Sequence, residues 1–417
     1  MRPALLLAAA WLGVAARGWA APPDFGQPVV CPHCNVLLIV LPGLRADSLT
    51  PERMPRLTAW MTKHRAVEFS QAVSPSSWYL PALTTMLTGV LPAQHRVFNE
   101  LPFQGGESPA LPDLPNLPKL LRAAGYRAGA FCATGAAEPR FGLDRGFDSF
   151  KAYPRTTPLS ELAGDALRWS AAGDGPWMAL ALSFQAQGWR DPESARQGKG
   201  MARKWEEFRH LALSQALFGL DDSEARELRE YHDGLLRRTD ADLVALLEKL
   251  PRHMVVVIAS TNGEEFGEHG GVDHGTTLYD EALRVPLVVA TPGVPHFRVQ
   301  DHQLSLRETG PMILDFVGVR KSLGPEVPLF NRVDMLQGIG RDEDAVAQTD
   351  YLGVTHLDAL RSADGWKLIR DRRRQAPPQL YYLVEDPGES RDLARQRPDL
   401  VASYGRELDA AVGQETP

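Results

Sequence analysis

Long basic runs are missing from this chain of 417 residues, and its formal charge is −7, with 45 Lys and Arg against 52 Asp and Glu. Binding nucleic acid by neutralising phosphates needs the opposite balance, so no nucleic-acid partner is expected. Beyond the N-terminus, no stretch is long and apolar enough for a membrane helix. Internal repeats and low-complexity tracts are absent too. Cysteine is scarce, with three residues. Cys132 lies in the apolar run RAGAFCA and reads as a small buried side chain. Cys31 and Cys34 form C-P-H-C, which could close a small disulfide in an oxidising compartment. The same letters occur in thiol–disulfide oxidoreductases, but there they open a helix that lowers the thiol pKa. Here they run into NVLLIVL, a strand, so redox catalysis is not expected.

What is present begins with a leader. Arg2 precedes the apolar run Ala4 to Val14, and Gly18 and Ala20 sit at −3 and −1 of a cleavage site before Ala21. This is the pattern of a secretory signal peptide over residues 1–20, and it predicts a secreted or periplasmic protein with no integral membrane segment after cleavage. Composition is ordinary globular, at 44% hydrophobic and 23% charged.

Short apolar runs then alternate with helical patterns. NVLLIVL, YRAGAFCA, WMALALSF, HMVVVIAS and VPLVVATP read as buried strands. LPALTTMLTG reads as a helix from near Pro81, 114–125 as a helix ended by Gly125, and 222–250 as a long amphipathic helix. The alternation predicts an α/β fold: a mostly parallel central sheet with helices on both faces. Past about Asn331 the pattern changes. DGWKLIRD and QLYYLVED read as strands around a turn, with Arg372 to Arg374 as solvated turn residues, and a terminal helix follows. The expected organisation is a leader (1–20), an α/β domain (21–335), and a small C-terminal subdomain of antiparallel sheet and helix (336–417). In such sheets ligands sit beyond the carboxyl ends of the strands, so the loops after Leu41 and Ser260 are where chemistry is expected.

Several stretches, in order, resemble the sulfatases of the alkaline phosphatase superfamily. These are NVLLIVLPGLRADSL, SWYLPALTTMLTGVLPAQHRV, GYRAGAFCATG with FGLDRGFDSF, IASTNGEEFGEHGGVDHGTTLYDEALRVPLVV, and DGWKLIRD with LYYLVEDPGESRDLARQRPDL. The resemblance implies a hydrolase of sulfuric esters. Such an enzyme uses a divalent cation held by carboxylates and a Cys or Ser, oxidised to formylglycine, at a helix N-terminus that favours anions. Fold and descent do not carry activity, which lives in particular residues.

Those residues depart from the family's pattern together. Its first metal-ligand positions fall on Pro42 and Gly43, neither of which has a side-chain ligand atom. Its nucleophile falls on Tyr79, whose phenol cannot become formylglycine and stays mostly protonated at neutral pH. The Arg that follows the nucleophile is Leu83. The second metal loop, S-D-N-G in the family, is Ser260-Thr261-Asn262-Gly263, so Asn262 is the one matching ligand position and Thr261 replaces the Asp. The substrate-touching His after the WMALALSF strand is Gln187, with Gln185 in place of an Asp. Only His274 matches a substrate-contacting residue.

A lone Asn cannot strip water from a hard cation. No cofactor is therefore expected, and Ca or Mg only if the site has been rearranged. Asp47 reads as a loop or helix-start cap, and Ser76 and Ser77 as turn residues. Glu264, Glu265, Glu268, His269 and Asp273 read as a solvated acidic loop, with a displaced metal site as the alternative. The expected function is a pseudo-sulfatase binding an anionic small molecule, a glycan or a protein in the old cleft. The alternative is an active sulfuric or phosphoric ester hydrolase with a rearranged site.

Overall fold

The computed structural model describes residues 31–98, 113–133, 142–190, 221–251, 253–293, 297–299, 302–319, 344–351, 355–373 and 376–413. The leader at 1–20 and the domain boundary at 335/336 lie outside the described residues.

In chain order the main body runs β1 (Asn35–Val40), α1 (Pro55–His64), β2 (Val67–Val73), α2 (Tyr79–Thr88), α3 (Pro92–His95), α4 (Leu117–Ala123), β3 (Arg127–Cys132), β4 (Ser149–Ala152), α5 (Leu159–Ala171) and β5 (Trp177–Leu182). It continues through α6 (Asp222–Leu247), β6 (Met254–Ala259), the short strands β7 (Glu265–Phe266) and β8 (Val272–Asp273), α7 (Asp280–Leu283), β9 (Arg284–Ala290), β10 (Phe297–Val299), β11 (Leu304–Ser305) and α8 (Thr309–Phe316). The C-terminal unit is β12 (Ala345–Thr349), β13 (Leu357–Arg361), β14 (Trp366–Asp371), β15 (Gln379–Tyr382) and α9 (Pro398–Val412).

The main sheet has the order β10-β2-β9-β6-β1-β5-β3-β4, with β11 also on β2. Every pairing is parallel except those of β9, which runs antiparallel to β6 and β2. β1 lies between β5 and β6 in parallel register. Its residues Val36 to Val40, all of β5 and all of β6 are buried, which is why these strands read as continuous apolar runs. The second sheet is an antiparallel meander, β12-β13-β14-β15, with α9 packed through Tyr404 and Leu408 onto Leu360, Leu368 and Leu380. The fold class is thus as expected. Among the described residues no helix is long and apolar enough to cross a membrane.

The long helix α6 begins at Asp221, whose carboxylate accepts from the backbone of Ser223 and Glu224, while Glu224 reaches back to the Asp221 N–H. It buries Leu228, Leu235, Leu236, Leu243, Leu246 and Leu247. Farther along, Asp240 accepts from the N–H groups of Arg56 (3.0 Å) and Leu57 (2.7 Å) and so caps the first turn of α1 from outside.

Helix α2 and strands β2, β12 and β13 differ from what the sequence predicts. Helix α2 starts at Tyr79, two residues before Pro81, because Trp78 is extended and ends the preceding loop. β2 was not visible as a strand: Glu68, Ser70 and Gln71 interrupt its apolar residues. Their partners are remote, Ser70 Oγ donating to the Val299 carbonyl (3.0 Å) and Glu68 pairing with Arg298 (3.0 Å). β12 and β13 were hidden for the same reason. Gln348 and Asp358 are buried because they bond each other across the pair (3.1 Å). Arg372, expected in solvent, is half-buried against Asp358 and the Phe98 ring.

Candidate functional site

The carboxyl ends of β1, β5 and β6 converge with the N-terminus of α2, so the loops at 41–45, 183–187 and 260–265 and residue 79 meet at one place. Backbone bonds knit them. Gly43 N–H donates to the Asn262 carbonyl (2.9 Å), and Leu44 N–H to Ser260 Oγ (3.2 Å). Ser74 Oγ lies 2.6 Å from the Thr261 carbonyl. Gly263 has no alternative residue: a Cβ there would lie 1.9 Å from the Glu281 carbonyl oxygen.

Tyr79, Gln187, Thr261, Asn262 and His274 are all buried here. Tyr79 opens α2, and its ring meets Trp78 and Phe184 edge-on, with centroids 5.7 Å and 4.9 Å away. Arg155 is exposed and lies over both the Tyr79 and Phe184 rings, at 5.2 Å and 4.6 Å from their centroids. Its Nη2 donates to the phenol oxygen (3.3 Å). The helix N-terminus, where the family presents a short nucleophile, is covered by an aromatic plug under a guanidinium. Leu83 is buried one turn on, and Ser76 and Ser77 are buried just upstream.

The family's cation would need donors at residues 42, 43, 261 and 262. Pro42 and Gly43 offer none from a side chain. Thr261 Oγ1 donates to Asn262 Oδ1 (3.1 Å), and Asn262 Nδ2 donates to the Gly263 carbonyl (2.9 Å), so both side chains are engaged with each other and the loop. The space is filled as well. A Cβ on Gly43 would lie 2.5 Å from Gln187 Cγ and 3.1 Å from Glu264 Oε1, at a φ of +89°. These residues do not fit a hard cation held in the family's way.

A second charge arrangement stands beside that space. His274 Nδ1 is 2.9 Å from Glu264 Oε1, 2.7 Å from Asp273 Oδ1 and 3.4 Å from Gln187 Nε2. Burial would lower the imidazole pKa. The two carboxylates outweigh it and push it up to about 9, so His274 is an imidazolium at neutral pH. Beside the old cation position the imidazolium is thus balanced by the two carboxylates it pairs with. Asp273 holds a φ of +84°, a left-handed conformation costly for a non-glycine residue, fixed by the β7–β8 pairing. The acidic loop is not solvated as expected. Glu264, Glu265 and Asp273 are at most 1% exposed, and Glu268 pairs with Arg45 and Arg229. Asp47 does not cap a helix; its carboxylate binds Arg45 (3.0 Å) and also faces Arg53 and Arg229. Gln185 links α5 to α6, accepting from Leu159 N–H (2.9 Å) and donating to Asp242 (2.8 Å).

Sequence reasoning missed His232. It is buried on α6, packs on the Phe266 ring, and its Nε2 lies 3.1 Å from the Gly43 carbonyl. Burial lowers its pKa to about 4, so it is neutral and donates. No signal in the sequence ties it to a residue 189 positions away.

The packing around Gly43 makes a prediction. Gly43→Asp puts back a family carboxylate but collides with Gln187, and should destabilise the fold by about 1–3 kcal/mol. Combined with Gln187→Ala it should recover part of that loss. Denaturation midpoints of the two single variants and the double variant measure the coupling. Additive effects would mean the two side chains do not compete for the space.

A mostly parallel sheet, with the loops at its strand ends converging on the N-terminus of α2, defines an α/β chain with its site at the carboxyl ends of the strands. A family model of the sulfatases matches residues 35–319, and the chain belongs to that family. Arylsulfatase K of Danio rerio is 28% identical over 204 residues, 46% of this chain and 38% of that protein. The chain thus spans less than half the length of that relative. Among solved structures, a phosphonate monoester hydrolase of Agrobacterium radiobacter superposes with a TM-score of 0.68 at 18% identity, covering 91% of this chain and 95% of its own. A 2-O GAG sulfatase superposes with a TM-score of 0.70 at 18% identity, covering 91% of each.

Proposed function

We propose that this sulfatase-family chain is exported, does not hydrolyse esters by its family's route, and binds an anionic ligand at the old cleft. The ligand would be an anionic small molecule, a glycan or a protein. No divalent cation at the family's position forms part of this reading. The observation that carries it is the joint replacement at one place: Tyr79 plugs the helix N-terminus, Gln187 fills the space beside Gly43, and His274 is tied up in ion pairs with Glu264 and Asp273. Removing the nucleophile of a hydrolase costs on the order of 10⁶ in turnover, and losing metal charge stabilisation costs several kcal/mol more. Arg155, exposed over the Tyr79 and Phe184 rings, is a cationic side chain at this place. Export is supported by the leader pattern, and Cys31 and Cys34, with Cα atoms 5.4 Å apart, are placed so that an oxidising compartment could join them.

The test is turnover of aryl sulfates and aryl phosphates by the purified chain, with Ca²⁺, Mg²⁺ and Zn²⁺ each supplied. The expected result is no rate above buffer for the natural chain, and none for Tyr79→Ser. A rate that disappears in Tyr79→Phe would overturn the reading. It would favour a second one, a rearranged hydrolase drawing on Glu264, Asp273 and His274, whose ligand atoms lie within 4.8 Å of one another.

A further inference from the structure

Strand alternation sends neighbouring residues of β7 to opposite sides. Glu264, just ahead of the strand, faces His274 and the old cleft, whereas Glu265 faces away, toward the β7–β8 turn and α7. There it meets His269 and Glu281, and one ligand atom from each of the three lies within 4.8 Å of the others. Glu265 is fully buried. Its Oε2 accepts from Thr277 Oγ1 (2.7 Å), while its Oε1 is buried with no hydrogen-bond partner. Gly271 keeps the space beside that oxygen open, since a Cβ there would approach it to 3.1 Å. His269 is fixed from three sides. Its ring stacks on Tyr279 with centroids 3.6 Å apart, its Nδ1 contacts Glu281 Oε1, and its Nε2 lies 3.3 Å from the Glu389 carbonyl.

We propose that Glu265, His269 and Glu281 form a binding site for a zinc-type divalent ion, separate from the family's cation position. Three arguments carry it. The donor set is one imidazole and two carboxylates, which suits zinc, and a zinc ion with three protein ligands leaves a fourth position for water. The His269 and Glu281 side chains are 14% and 8% exposed, so that position can be reached from solvent. The outer contacts are those of a metal site. A ligating His donates its second N–H to a carbonyl, here that of Glu389, and a ligating carboxylate is hydrogen-bonded in turn, here by Thr277. Donors around a tetrahedral ion at ~2.0–2.1 Å stand about 3.3 Å apart, so the observed cluster needs only small rotamer changes to close.

The experiment is a calorimetric titration of the purified, chelator-stripped full chain with Zn²⁺. The expected result is saturation near one ion per chain, weakened at least tenfold by Glu265→Gln and by His269→Asn. Thr277→Val removes only the hydrogen bond to Glu265 and should weaken it several-fold, which keeps the test open if a ligand variant fails to fold. The pair Asp273→Asn with His274→Asn should leave the affinity within about twofold. No saturable uptake would overturn the proposal. So would uptake indifferent to Thr277→Val and the ligand variants, or uptake abolished by the Asp273 and His274 pair, which would locate the ion at the old cleft. Ester hydrolysis is read separately, so failure of this site leaves the reading of the cleft standing.

Discussion

Lys367→Met should lower the stability of this protein by about 3–5 kcal/mol, the usual cost of stripping one partner from a buried ion pair. Lys367 is fully buried on β14, in the middle of the C-terminal sheet. Its Nζ sits 2.9 Å from Asp280 Oδ1 and 2.8 Å from Glu389 Oε1, and Arg361 adds a contact to Asp280 Oδ2 at 3.3 Å. Asp280 opens α7 in the main body, directly after the loop that builds the cleft, and its backbone N–H donates to Glu389 (2.6 Å). Burial would raise the Asp280 pKa, but Lys367 and then Arg361 hold it well below the usual carboxylate range. The lysine is thus what allows two buried acids to stand together where the two sheets join. Methionine has similar bulk and no charge, so the loss it causes is electrostatic. Adding Asp280→Asn and Glu389→Gln to Lys367→Met should restore part of the stability, because no uncompensated charge is then left inside. The control is Lys63→Ala. Its partner Glu248 is at 2.9 Å, but the two side chains are 64% and 44% exposed, and the change should stay within about 0.5 kcal/mol. Denaturant midpoints measure all of these. A Lys367→Met loss no larger than that of Lys63→Ala would mean the network is not what holds the sheets together.

That network also explains what was legible in the sequence. Strands buried by apolar contact alone, such as β1 and β6, announce themselves as runs of Val, Ile and Leu. Strands such as β2, β12 and β13, whose buried residues include Glu68, Gln348 and Asp358, do not, since their burial depends on partners elsewhere in the chain. The cleft divides in the same way. That Pro42, Gly43, Tyr79 and Thr261 lack the family's chemistry follows from residue type. That their replacements form one packed unit does not. Gly43 and Gln187 compete for the same few ångströms, and Glu264 and Glu265 belong to different clusters although they are adjacent. Counting acids in the loop predicted solvent, and only the alternation of β7 reveals two buried sites of opposite facing.

Acid should weaken this protein well above the range where most carboxylates titrate, and His95 is one cause. It ends the family-like T-G-x-x-P-x-x-H stretch and is fully buried at the close of α3. Its Nδ1 accepts from Val97 N–H (3.0 Å), which places the ring proton on Nε2, 3.1 Å from Thr85 Oγ1. A second proton would have to go onto Nδ1, facing an N–H donor. Burial lowers the pKa to about 3, against only a small opposing contribution from the Pro81 carbonyl. A free imidazole titrates near ~6.5, so in acid the unfolded chain binds a proton that the folded chain refuses. Stability from this group is complete above about pH 6.5 and is lost as pH falls toward 3. At ~1.4 kcal/mol per pH unit the loss across that window is on the order of 5 kcal/mol. His95→Asn keeps an acceptor for Val97 but cannot be protonated. It should cost a fixed amount at neutral pH and remove this slope. The informative quantity is the stability difference between natural chain and variant from pH 7 down to pH 5, in which other titrating groups such as His232 cancel. That difference should shrink steadily with acid, and one that stayed constant would show that His95 accepts its proton in the folded protein.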